Sequence, residues 1–250
     1  MRNYHFFILI LATVLGCSKD HKDEKAHLDI NFKLVYDDRP LVFLENYNYP
    51  SGELMNFNRM SFYLSNLKIS NSQGEVNLLD IDYLNFRESN SNLTNAQKGL
   101  NFHYKDVPEG EYDKISFSFG VPADLNAKAP GDYLSSSPLS SPAEYWAPWK
   151  SYIFMKLEGQ IDLNFDGEKE EPFAIHTGAD QAYTTVELPM NVSFAHDKTN
   201  EINVIIDVSK FFQGSGKVYD IRSGGQTHSE SSLPYILQIC DNIGGAVRLQ

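Results

Sequence analysis

Leu28-Asp29-Ile30-Asn31-Phe32-Lys33-Leu34-Val35-Tyr36 alternates apolar and polar residues with a period of two. Successive side chains on a strand point to opposite faces, so this run has one face for a core and one for solvent, as in an antiparallel sheet wet on one side. The same period recurs at Ile115, Phe117 and Phe119, and at Ile153, Met155 and Leu157. Ile161, Leu163 and Phe165 keep that second phase across Gly159. It returns at Val186, Leu188, Met190, Val192 and Phe194, then at Ile202, Val204, Ile206 and Val208. In Met60-Ser-Phe-Tyr-Leu-Ser-Asn-Leu-Lys-Ile69 the apolar phase slips between Leu64 and Leu67, which predicts a β-bulge near Ser65-Asn66. Turn residues separate the runs at 71–74, 108–110 and 166–167.

Helical spacing is scarce. Leu233, Ile236, Leu237, Cys240 and Ile243 follow the i, i+3, i+4, i+7 pattern, with Ser231 or Ser232 as a cap and Gly244-Gly245 as a stop. Cys240 then lies on the buried stripe and reads as a core thiol. A short helical turn is expected at 209–212. Residues 88–100, rich in Asn and Ser, read as a long surface loop. Residues 122–148 carry Pro122, Pro130, Pro138, Pro142 and Pro148, and they lead to the two tryptophans of the chain, Trp146 and Trp149. A loop of that length in a compact domain is usually functional or disordered, and the tryptophans favour function. The expected fold is all-β: an antiparallel β-sandwich with a long proline-rich loop and a C-terminal helix.

The amino terminus has its own logic. Arg2 precedes an apolar stretch at 6–15, far short of the roughly 20 residues of a membrane-spanning helix. Val14-Leu15-Gly16-Cys17 resembles a bacterial lipobox. That resemblance implies a signal peptide at 1–16, a lipid on Cys17, a charged tether at 17–27 that holds His21 and His27, and a β-sandwich domain at 28–250. Two or three acyl chains anchor a domain stably where one binds reversibly. Ser18-Lys19-Asp20-His21-Lys22-Asp23-Glu24 resembles the export tag of surface lipoproteins of the Bacteroidota, and it also reads as a solvated spacer. The expected address is the outer membrane, on the periplasmic or cell-surface side.

Net charge is −12, and an acidic surface repels phosphate backbones, which argues against a nucleic-acid partner. With Cys17 lipidated, Cys240 has no partner for an intramolecular disulfide, so stability rests on burial. The 42% hydrophobic residues, with 16 Phe and 14 Tyr, can supply it. The chain has no Gly-x-Ser-x-Gly, no His-Glu-x-x-His and no phosphate loop. No enzymatic activity is expected.

Tyr145-Trp146-Ala-Pro-Trp149-Lys-Ser-Tyr152-Ile-Phe-Met-Lys-Leu-Glu-Gly159 is the most distinctive run. It resembles the signature of the MbnP-like family, methanobactin-associated copper-binding proteins. Further stretches resemble that family in its order. They are 60–69 with its Leu-Ser-Asn, Glu109 to Gly120 with Gly-x-Tyr-x-x-Ile-x-Phe-x-x-Gly, and 121–126 with Asn126. Phe173-Ala-Ile-His176-Thr-Gly178, then His228, then Asp241-Asn242 complete the order. The resemblance implies a copper-binding β-sandwich in which a tryptophan is oxidised to kynurenine by a di-haem cytochrome c peroxidase-type partner. Carried over, the metal ligands are His176 and His228, and the oxidised-tryptophan candidates are Trp146 and Trp149. Imidazole nitrogen suits copper, which outcompetes other first-row divalent ions at such sites. The chain departs from the family at its Trp-x-x-Trp spacing, at Ser151 in place of Gly, and in having no His on the first strand near Leu34.

Other readings stand beside this one. The aromatic residues also suit a metal-free surface module for glycans or a partner protein, and a purely structural assembly protein is a third reading. His103 and His196 lie outside the motifs and read as structural or exposed. Asp162-Leu-Asn164-Phe-Asp166-Gly167 resembles the start of a calcium loop, but Phe173 stands where a bidentate Glu is expected, and the flanking alternation favours a polar hairpin turn.

Overall fold

The structure is a computed structural model that describes residues 25–214 and 216–250. The lipobox, Cys17 and the charged segment with His21 lie outside the described residues. The first strands are β1 (Lys25–Tyr36), the two-residue β2 (Arg39–Pro40) and β3 (Tyr47–Asn48), β4 (Leu54–Asn71) and β5 (Gly74–Asn85). Then come β6 (Leu100–Pro108), β7 (Gly110–Phe119), the short β8 (Tyr145–Trp146) and β9 (Ser151–Ile161). The chain continues through β10 (Glu171–Gly178), β11 (Thr184–Phe194), β12 (Thr199–Asp207) and β13 (Val247–Leu249). The helices are α1 (Leu93–Lys98), α2 (Ala123–Asn126), α3 (Ile221–Gly224) and α4 (Leu233–Ala246).

The strands form a sandwich of two open sheets. One runs β13-β12-β1-β2 with β6 also on β1; the other runs β10-β9-β4-β7-β11, with β3 and β5 on β4 and β8 on β9. The apolar phase of β1 (Leu28, Ile30, Phe32, Leu34) and of β12 (Ile202, Val204, Ile206) meets Phe57, Phe62, Leu64, Phe117, Phe119, Met155 and Leu157 in one core. Among the described strands the ladders are antiparallel except that of β1 and β12, which run parallel from His27↔Thr199 to Val35↔Asp207. These two strands are distant in sequence, so no hairpin dictates their direction. The bulge sits where the phase slips: Asn66 has φ 52° and β4 changes register against β7 between Ser65 and Lys68.

Several expectations are corrected. Residues 122–148 are the expected long proline-rich loop, and they pack against the larger sheet. They form 3₁₀ turns at Pro130–Asp132, Pro138–Ser140 and Pro142–Glu144, each led by a proline, whose fixed φ and missing N–H suit a first helical position. These turns cover the outer face of the larger sheet and build a second core of Tyr63, Val121, Leu139, Tyr152, Phe154, Ala182, Ile236 and Cys240. β9 is therefore buried on both faces, not on one. Tyr63 donates to Pro138 O at 3.1 Å and Tyr152 to Leu139 O at 2.6 Å, tying the turns down.

α4 runs through Gly244-Gly245 to Ala246 instead of stopping there, because Ile243 before the exposed glycines and Ala246 and Val247 after them are buried, and packing overrides the glycines' poor propensity. β9 ends at Ile161; Phe165 sits at a hairpin tip with φ 63° and is 61% exposed, so the alternation past Ile161 is not strand. In 88–100 the side chain of Asn92 caps α1, and buried Asn90 donates to Leu41 O at 2.6 Å. β1 already runs at Lys25, which places His27 in the sheet rather than in a tether. Cys240 is buried, and burial pushes its thiol up to about 12.

Candidate functional site

β8 and β9 form a hairpin in which Tyr145 pairs with Tyr152 and Trp146 with Ser151. Across the four-residue turn, Trp149 N donates to Trp146 O at 3.1 Å and Lys150 adopts φ 52°. The Trp-x-x-Trp spacing thus folds one indole onto the other, edge to face, with centroids 4.7 Å apart. Buried Asn126, at the end of α2, fastens this hairpin. Its Oδ1 accepts Tyr152 N–H at 2.8 Å, and its Nδ2 donates to Asp180 Oδ1 at 2.8 Å. Ser151 is buried and its Oγ accepts Ala179 N–H at 2.9 Å.

β10 lies beside β9, with His176 opposite Lys156, Ala174 opposite Glu158 and Phe173 opposite Gly159. Phe173 packs so closely over Gly159 that a Cβ there would strike both the Phe173 ring and the Asn56 carbonyl. The glycine of one motif is the seat for the phenylalanine of the other.

Residues 225–228 run parallel to β10. Ala174 N donates to Gly225 O at 2.7 Å and Thr227 N to Ala174 O at 3.2 Å. Fully buried Thr227 clamps His176 from both sides, its hydroxyl accepting His176 N–H and donating to His176 O, each at 2.7 Å. This register sets the exposed His228 ring 4.7 Å from the His176 ring. Trp146 approaches His176 at 6.2 Å between centroids. His176, His228, Trp146 and Trp149, drawn from three separate stretches of sequence, are brought together.

His176 is 9% exposed. Its Nε2 is 2.8 Å from Glu158 Oε1, while its Nδ1 is buried without a hydrogen-bond partner. Burial pushes the imidazole down to about 4 against the upward pull of Glu158; His228 and Lys156 add to the lowering. The ring is neutral at pH 7, the form that binds metal. Behind it lies a charge relay. Glu158 is 3.5 Å from Arg59 Nη1, Arg59 Nη2 is 3.4 Å from Glu144 Oε1, and Glu144 Oε2 is 2.7 Å from Lys156 Nζ. Glu144 is 7% and Lys156 6% exposed, so this pair is a buried clasp between the proline-rich segment and β9. Lys156 also donates to Ala143 O at 2.9 Å.

A neutral imidazole with an orphaned, buried nitrogen, a second imidazole beside it and an indole at its edge fits a nitrogen-preferring ion such as copper. Sequence reasoning had assigned no role to Thr227, Arg59 or Glu144, whose positions carry no motif of their own. Glu158 stood in the quoted signature without a function.

The remaining candidates fall elsewhere. His103 is exposed with Nδ1 2.7 Å from Asp29, and His196 is exposed near Asp197. Asn242 is structural, tying α4 to Phe211 O at 2.8 Å. Asp162, Asp166 and Glu170 are the one His/Cys/Asp/Glu trio among the described residues with ligand atoms all within 4.8 Å of one another. There the Asp162 carboxylate accepts the N–H groups of Asp166 and Gly167, as in a polar hairpin turn.

A family model for MbnP matches residues 25–229. The solved structure of MbnP from Methylosinus trichosporium superposes with a TM-score of 0.53, covering 76% of this chain and 78% of that one at 13% sequence identity, a likeness of fold alone. No curated protein matches the chain.

Proposed function

The chain belongs to the MbnP family, and from that membership we propose that it is a copper-binding or copper-handling protein. In this reading it is anchored through a lipid on Cys17 at the outer membrane, on the periplasmic or cell-surface side. It is a binding protein rather than an enzyme, and it acts with a di-haem cytochrome c peroxidase-type partner that oxidises one of its tryptophans to kynurenine.

One observation carries the proposal: the His176 ring, with its unpartnered Nδ1, lies 4.7 Å from His228 and 6.2 Å from Trp146. His176 and His228 would hold the ion, the first from a rigid strand and the second from an exposed segment. Copper bound there would supply a one-electron redox centre next to the indoles. The chain's own residues prepare the place. Burial keeps His176 unprotonated, Thr227 fixes its backbone, and the Glu144–Lys156 clasp keeps the tryptophan hairpin beside it.

Metal analysis by mass spectrometry of protein purified from its native host, with intact mass, tests the proposal. We expect bound copper and a mass change on the peptide that holds Trp146 and Trp149. Neither copper nor a mass change would remove it.

A further inference from the structure

A neutral imidazole carries one N–H, and the hydrogen bond made at one nitrogen decides which nitrogen keeps its lone pair. At His176 that bond is made by Nε2, 2.8 Å from Glu158 Oε1. An ionised carboxylate only accepts, so the proton of the neutral ring sits on Nε2 and the lone pair on Nδ1. Nδ1 is the atom left buried without a partner.

The sheet makes this contact possible. Glu158 is paired across the strands with Ala174, not with His176. The small Ala174 side chain leaves room for the carboxylate to reach diagonally to the imidazole two positions along, a distance long side chains span. Arg59, opposite Glu158 on β4, reaches the same carboxylate oxygen at 3.5 Å and steadies the carboxylate there.

We propose that Glu158 is the positioning residue of the metal site: it holds His176 in the Nε2–H tautomer and so presents Nδ1 as the ligating nitrogen. The inference rests on the copper reading above. A carboxylate behind a ligating imidazole fixes ring orientation and raises its basicity, and its loss costs roughly 10- to 100-fold in metal affinity.

Proton–nitrogen correlation spectra of the isotopically labelled, metal-free protein read the tautomer directly and do not depend on copper. Titration with copper ions against a competing chelator then reads affinity in the wild type, Glu158→Ala and Glu158→Gln. We expect Nε2–H in the wild type, a mixture of tautomers in Glu158→Ala, and about a 10- to 100-fold weaker affinity there. Glu158→Gln, whose amide oxygen still accepts, retains the tautomer and binds more tightly than Glu158→Ala. Nδ1–H in the wild type overturns the inference and leaves the copper reading standing. So does a Glu158→Ala protein, folded by circular dichroism, with unchanged tautomer and affinity. A wild type that shows Nε2–H but binds no copper overturns the copper reading, and the ligand role of Nδ1 falls with it.

Discussion

The indole of Trp146 rests on Gly178. A Cβ at that glycine would stand 3.0 Å from Trp146 Cζ3 and 2.8 Å from the Tyr152 carbonyl oxygen. Gly178 lies two residues past His176 on β10, so one strand supplies both an imidazole and the seat for the indole beside it. The spacing His-x-Gly is thereby a statement about packing: one residue bears the nitrogen, and the other, past a register shift against β9, makes way for the ring.

Gly178→Ala is therefore expected to displace Trp146 or the β9 backbone. Overpacking of this kind costs about 1–3 kcal/mol. The tryptophan emission maximum should shift and the melting temperature fall. An unchanged emission spectrum together with an unchanged melting temperature would show that the indole is not seated on this glycine.

The Glu144–Lys156 clasp should behave as a buried pair. Lys156→Met leaves Glu144 buried without its ammonium partner and with a longer contact to Arg59, and breaking such a pair from one side costs about 3–5 kcal/mol. Replacing both, as Lys156→Met with Glu144→Leu, removes the uncompensated charge and should recover much of that loss. A double-mutant cycle by urea unfolding measures the coupling, and additive effects would show that the two residues act independently.

How much of this was legible in the amino-acid order depends on which face of a strand is considered. Alternation at Leu28 to Tyr36 and at Ile202 to Val208 located the inner face of the sandwich because period two registers an apolar side against a polar one. It was blind to the outer face of β9, where Tyr152 and Phe154 flank Ile153 and the run simply looks apolar. Phe165 shows the converse error: it kept the phase yet lies in a turn, since alternation says nothing about where hydrogen-bonded pairing ends. The site was read through His176, His228 and the tryptophans, whose side chains name their own chemistry. Thr227 was not, because its role is to bond the backbone of a residue 51 positions away, a relation no local pattern records.

The lowered pKa of His176 has a consequence for stability. The unfolded chain takes up this proton near the ordinary value of about 6.5, whereas the folded protein resists it until about pH 4. Between those values the unfolded state binds more protons, so stability falls as pH drops through the window and is fully present above it. Urea unfolding of metal-free protein at pH 7 and pH 4.5 should show a larger loss in the wild type than in His176→Gln, which has nothing to titrate there. Equal losses would show that the ring is protonated as readily in the fold as out of it.

Trp146 and Trp149 are not equivalent before an oxidant acting at the site. The Trp146 ring lies 6.2 Å from the His176 ring, and its backbone is held in the ladder opposite Ser151, so its position relative to the imidazole is set by two strands. Trp149 meets Trp146 edge to face, on the far side of the hairpin turn from the paired Trp146 backbone. If the tryptophan modification belongs to the metal site, Trp146 is the residue converted. Protein produced with its native partner system should then carry the mass change in the wild type and in Trp149→Phe, and lose it in Trp146→Phe. Fragmentation that places the change on residue 149, or its persistence in Trp146→Phe, would assign the modified ring to Trp149 instead and detach the oxidation from the His176 edge of the site.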